Sequence, residues 1–117
     1  MPKNTIKSEI NFLIELDDNR VPENLRWTAR DGGVVNQESK AIMLSVWDNK
    51  ARESMRIDLW TKDMPVDDMK IFFHQTLVSM SDTFERATGD KRMTETMKDF
   101  CDYFAEKLEL NGDKAAE

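Results

Sequence analysis

The chain carries little of the equipment that catalysis needs. His74 is its only histidine and Cys101 its only cysteine. One imidazole excludes most acid–base constellations and the usual zinc ligand sets, which draw on several His or Cys side chains. His74 sits beside Phe73 and Leu77 in a run of helical periodicity, where a ring at the border of an apolar stripe has an ordinary structural reading. Cys101 falls on an apolar stripe as well, so its thiol reads as a small hydrophobe and not as a nucleophile. Ser79 and Ser81 lack the Gly-x-Ser-x-Gly turn of a serine nucleophile. Asp17, Asp18 and Asn19 could begin a calcium loop, but Pro22 and Thr28 occupy the places where that loop needs glycine and glutamate. Gly32 and Gly33 have no lysine after them and read as a turn, not as a phosphate loop. No catalytic, metal-binding or cofactor-binding residue is assigned.

The residue types suited to recognition lie elsewhere. Met43, Trp47 and Trp60, with Arg56 and Asp58 between them, are the candidate partner-binding set. Trp and Met are favoured at the centres of protein interfaces. What gathers them is an expected β-hairpin with its loop at residues 49–52. Val46 then lies opposite Met55, Leu44 opposite Ile57 and Ile42 opposite Leu59, an aliphatic face on one side of the pleat. A one-residue slip would split that face and forfeit about 1.5 to 3 kcal/mol of burial per side chain. The candidate set occupies the other face, with Ser45. Either the Trp27 segment or the N-terminal strand covers those indoles, or they form an open apolar patch.

Other elements follow from periodicity. Residues 6–16 alternate, with Ile6, Ile10, Phe12, Ile14 and Leu16 on one side, which predicts a half-buried strand. Asp17, Asp18, Asn19 and Pro22 end it. Residues 24–29, around Leu25 and Trp27, are a weaker strand before the Gly32 and Gly33 turn. Residues 37–47 read as a strand, although 37–41 are also good helix formers. After Met64 the spacing becomes helical: Met69, Phe72, Phe73, Thr76, Leu77, Met80, Phe84 and Ala87 recur at steps of three and four. Pro65 suits the first turn and Gly89 stops the helix. Asp90 caps a second helix with the stripe Met93, Met97, Phe100, Cys101, Phe104 and Leu108. A short link makes the helices antiparallel. The expected fold is α+β, an antiparallel sheet of three to four strands packed on a C-terminal helical hairpin, as a single domain over residues 1–110 with a frayed tail at 111–117.

Composition narrows the function classes. The 117 residues suit one core, and six Phe, three Trp and eight Met supply material for it. No apolar run exceeds residues 41–44, far short of the roughly 20 that cross a bilayer, so membrane insertion is not expected. There is no secretory signal pattern, and the lone cysteine agrees with a reducing compartment, so the expected location is cytoplasmic. The net charge is −6, with 17 basic and 23 acidic side chains. Residues 1–62 hold ten of each sign, so the whole acidic excess falls in the second half. Nucleic acid would be repelled by this balance. The acidic run Glu95, Asp99, Asp102, Glu106 and Glu109 reads first as a solvated helix face.

Several longer words stand out: Val46–Trp47–Asp48; Arg56–Ile57–Asp58–Leu59–Trp60–Thr61–Lys62–Asp63–Met64; Phe73–His74–Gln75–Thr76–Leu77; Thr83–Phe84–Glu85–Arg86–Ala87–Thr88; and Asp99–Phe100–Cys101–Asp102–Tyr103–Phe104. In these words the chain resembles the GldC family of gliding-motility proteins from Bacteroidetes, over residues 8–108. The resemblance implies a small accessory component of surface gliding, in bacteria whose apparatus is linked to type IX secretion. It brings no catalytic residue, metal or cofactor.

Two functions are consistent with this reading. One is a non-enzymatic module that contacts another gliding or secretion protein, or a second copy as a homodimer, through Met43, Trp47 and Trp60. The alternative is a small-molecule binder or enzyme with a pocket between helix and sheet near His74. A third, purely structural option buries the tryptophans and leaves contact to the acidic helices.

Overall fold

The computed structural model describes residues 4–110. The expected tail at 111–117 lies outside the described residues. The class is α+β, with antiparallel strands first and two helices after them. The chain divides after Met64 into two compact units.

Among the described residues the first unit holds five strands in two sheets, where three to four in one sheet were expected. Strands β1 (Asn11–Leu16), β2 (Pro22–Ala29) and β3 (Val34–Ser39) form a sheet in that order. Strands β4 (Ala41–Asp48) and β5 (Glu53–Trp60) form a separate hairpin. The expected strand at 6–16 starts only at Asn11, because β2 ends its pairing there, Asn11 against Thr28. The expected strand at 37–47 is cut at Lys40: its first residues pair with β2 and the rest with β5. Helix does not form at 37–41.

Local chemistry sets the turns. Asp17 Oδ1 accepts the Asn19 and Val21 amides at 2.8 and 3.0 Å, while Arg20 takes φ 64°. At the other hairpin Asp48 Oδ1 accepts the Lys50 amide at 3.0 Å and Arg52 takes φ 57°. Both turns use an aspartate acceptor to replace backbone pairing and an arginine in the left-handed region. Gly33, at φ 78°, closes the 3₁₀ turn Arg30–Gly32. A register shift between Trp27 and Ala29 is stabilised by Thr28 Oγ1, which accepts the Asn36 amide at 2.9 Å.

Leu25 is the apolar centre of this unit, with 0% of its surface exposed. It pairs with Ile14 on one side and Ser39 on the other. Two residues along, on the same face, Phe12 faces Trp27 and the two rings stack, 6.1 Å between centroids.

The second unit is the antiparallel pair α1 (Val66–Thr88) and α2 (Lys91–Lys107). Pro65 stands at the N-cap of α1, one residue before the turn where it was expected, and Asp67 and Asp68 complement the positive end of the helix. Gly89, at φ 72°, donates its amide to the Glu85 carbonyl and ends α1. Asp90 caps α2, its Oδ1 accepting the Met93 amide at 2.9 Å. Asp82 and Lys98 pair at 3.1 Å and tie the helices side by side.

The most buried positions in this unit are small: Ser81, Thr94, Cys101 and Ala105. The buried stripe of α2 is therefore rotated from the expected one, running through Thr94, Cys101 and Ala105 and leaving Met93, Phe100 and Leu108 exposed. The hydroxyls can be buried because the helix satisfies them itself. Ser81 Oγ donates to the Val78 carbonyl at 2.7 Å, and Thr94 Oγ1 to the Asp90 carbonyl at 2.8 Å.

Candidate functional site

The β4–β5 hairpin has the register that alternation requires. Ile42 pairs with Leu59, Leu44 with Ile57 and Val46 with Met55. On the opposite face the rows run Trp47 with Ser54, Ser45 with Arg56, Met43 with Asp58 and Ala41 with Trp60. All five candidate residues therefore share one face. The indoles occupy its two ends, separated by six strand positions on β4, or about 20 Å. Trp47 and Trp60 are 56% and 55% exposed, and neither the Trp27 segment nor β1 seals them. Met43 is half-buried. Between the indoles, the Arg56 guanidinium donates to Asp58 Oδ2 at 2.8 Å. The face is thus two aromatic ends framing an ion pair, not one continuous apolar patch.

Arg52, from the connecting loop, lies 5.9 Å from the centre of the Trp47 ring and adds a cation to that end. On the aliphatic face Val46, Met55 and Ile57 are exposed, whereas Ile42, Leu44 and Leu59 are half-buried.

A segment to which the residues alone assigned no role holds the hairpin in place. Thr61, 2% exposed, donates its amide to the Lys40 carbonyl at 2.8 Å and its hydroxyl to Asp63 Oδ1 at 2.6 Å. Asp63 Oδ2 accepts from Lys40 Nζ at 2.8 Å. Lys62 turns the other way: its amide reaches the Pro22 carbonyl at 3.1 Å, and its ammonium meets Asp17 at 3.1 Å and Glu23 at 3.4 Å. Residues 61–63 therefore strap the hairpin to the start of the three-stranded sheet. Electrostatics follow this geometry. The bonds from Lys40 and Thr61 lower the Asp63 carboxyl from 3.8 to about 2. The Lys62 ammonium is raised by Asp17 and Glu23, and Lys40 by Asp63. Asp17 is lowered, chiefly by the Val21 amide and then by Lys62. The signal in the sequence was the alternation of sign at Lys62 and Asp63 directly after a strand.

His74 and Cys101 lie in the helical unit. The His74 ring stacks on Phe104 with 6.2 Å between centroids, as a border ring does. Cys101 is buried, and that burial raises its thiol above the ordinary value. Among the described residues no group of three or more His, Cys, Asp or Glu could hold a metal ion, and no helix is long and apolar enough to cross a membrane.

A profile of the gliding motility-associated protein GldC-like family matches residues 22–110. The chain belongs to the GldC-like family. The match takes in β2 through α2 and so includes the whole hairpin, the strap and both helices of this GldC-like protein. Searches of curated proteins and of solved structures gave no match.

Proposed function

We propose that this chain is a non-enzymatic interaction component of the gliding-motility apparatus, and that it engages a protein partner through the face carrying Met43, Trp47, Arg56, Asp58 and Trp60. The observation that supports this most is the exposure of two indoles on one ordered face. Exposed tryptophans lose apolar hydration when covered and commonly supply a large part of interface affinity. Their spacing of about 20 Å suits an extended segment or a helix laid across the strands, with its own charges meeting Arg56 and Asp58. Family membership favours another gliding or secretion component as that partner, and the cytoplasm remains the proposed location.

The test is affinity capture from gliding cells with the full chain and with the double variant Trp47→Ala/Trp60→Ala, each checked for cooperative unfolding. The expected result is a specific protein retained by the wild type and lost by the folded double variant. Equal retention by both would remove the indole face from the function.

A further inference from the structure

The outer edge of β5 carries a self-complementary pattern. The Thr61 amide bonds the Lys40 carbonyl at 2.8 Å, so Leu59, Ile57 and Met55, at alternate positions, also direct their backbone groups toward β4. Ser54, Arg56, Asp58 and Trp60 then direct theirs away from β4. In the hairpin sheet, whose order is β4–β5, that edge has no hydrogen-bonded neighbour; just beyond it the outward Lys62 amide is taken by the Pro22 carbonyl, where β2 begins. We propose that the outer edge of β5 pairs with the β5 edge of a second copy of this chain, antiparallel, across a twofold axis at Ile57.

Parity, charge and side-chain chemistry agree on this register. With Ile57 opposite itself, Arg56 faces Asp58 of the second copy and Asp58 faces its Arg56. Both members of each such row have outward backbone groups, so each row exchanges two N–H to O=C bonds. The ion pair seen within one strand, at 2.8 Å, becomes part of a cluster of four charges alternating in sign around the axis. On the other face, Met55 meets Leu59 of the second copy and Ile57 meets its twin, which extends an aliphatic surface whose Val46, Met55 and Ile57 are exposed in one chain. No other described edge has this property. β1 carries one charge, Glu15; β3 carries only Glu38; β4 carries only Asp48. Charge reciprocity therefore selects β5 and identifies its occupant as the same strand. The same register places Trp60 of the second copy across Ser54 from Trp47, about 10 Å away, so indole pairs gather at both ends of the doubled sheet. The pairing stands whether or not that face takes a further partner.

Sedimentation equilibrium over a concentration series tests it with the full chain. The wild type forms a dimer. Arg56→Asp and Asp58→Arg each set like charges face to face twice across the axis, and each weakens dimerisation at least about tenfold. Mixing these two variants restores the dimer as a heterodimer, because every opposed pair is again of opposite sign. The double reversal within one chain, Arg56→Asp with Asp58→Arg, dimerises like the wild type and covers the case in which a single variant fails to fold. A monomeric wild type, single variants that dimerise unchanged, a mixture that stays monomeric, or a monomeric double reversal overturns the proposal.

Discussion

Thr61→Val tests whether the strap at residues 61–63 is held by chemistry or merely by shape. Valine has nearly the volume of threonine, so the substitution leaves the buried methyl contact and deletes only the hydroxyl, which donates to Asp63 Oδ1 at 2.6 Å. A net hydrogen bond from a buried donor contributes about 1 kcal/mol, and the exposed carboxylate can recruit water in exchange, which holds the loss near 1 kcal/mol. With an m-value of about 1.5 kcal/mol/M, the urea midpoint should fall by roughly 0.7 M at unchanged slope. A second readout follows from linkage. The Asp63 carboxyl is held at about 2 by Lys40 first and Thr61 second, so Thr61→Val should move it part of the way back toward 3.8. Because the folded value lies below the unfolded one, the stabilisation is complete above about pH 4 and disappears as the pH falls toward 2. Carbon-detected NMR titration of Asp63, with urea melts at pH 6 and pH 2.5, measures both effects. At pH 2.5 the gap between wild type and variant should narrow. An unchanged midpoint together with an unchanged Asp63 titration would mean that the strap is kept by packing alone.

Further expectations concern the two units separately. Leu25→Ala removes three carbons from a side chain with no exposed surface, so transfer and cavity terms together should cost about 3 kcal/mol, read by chemical or thermal unfolding. Cys101 is buried with a raised thiol, so alkylation by a maleimide at neutral pH should be slow in the native chain and rapid in denaturant; fast native labelling would contradict the burial.

How much of this was legible depended on which physical signal each residue carries. The β4–β5 register could be read to the residue, because two aliphatic alternations meet across a polar loop and any slip separates them. Both helices, the Gly89 stop and the Asp90 cap were legible for similarly local reasons. β3 was not. Val34 and Val35 are followed by Asn36, Gln37 and Glu38, which show no alternation, and the strand exists because β2 offers it an edge. The cut at Lys40 was hidden as well, since it is fixed by Thr61 and Asp63, more than twenty residues away. In α2 a scan for large apolar side chains passes over Thr94 and Ala105, whose small size and self-satisfied hydroxyl permit burial. For the five candidate residues the common face was legible from the register; the ion pair between the indoles and the cation over Trp47 were not, because rotamer choice and loop path decide them.

The order in which these contacts can form has a consequence for the chain as it is made. The β4–β5 hairpin needs only its own loop to close, whereas the contact between Lys62 and Asp17 joins residues 45 positions apart. Long closures lose more chain entropy and come later. A nascent polypeptide that has emerged as far as Trp60 can already hold all three of its strand pairings, but not the ion pairs that residues 61–63 make. The contacts of Thr61, Lys62 and Asp63 with Lys40, Pro22, Asp17 and Glu23 can form only once the next three residues have emerged.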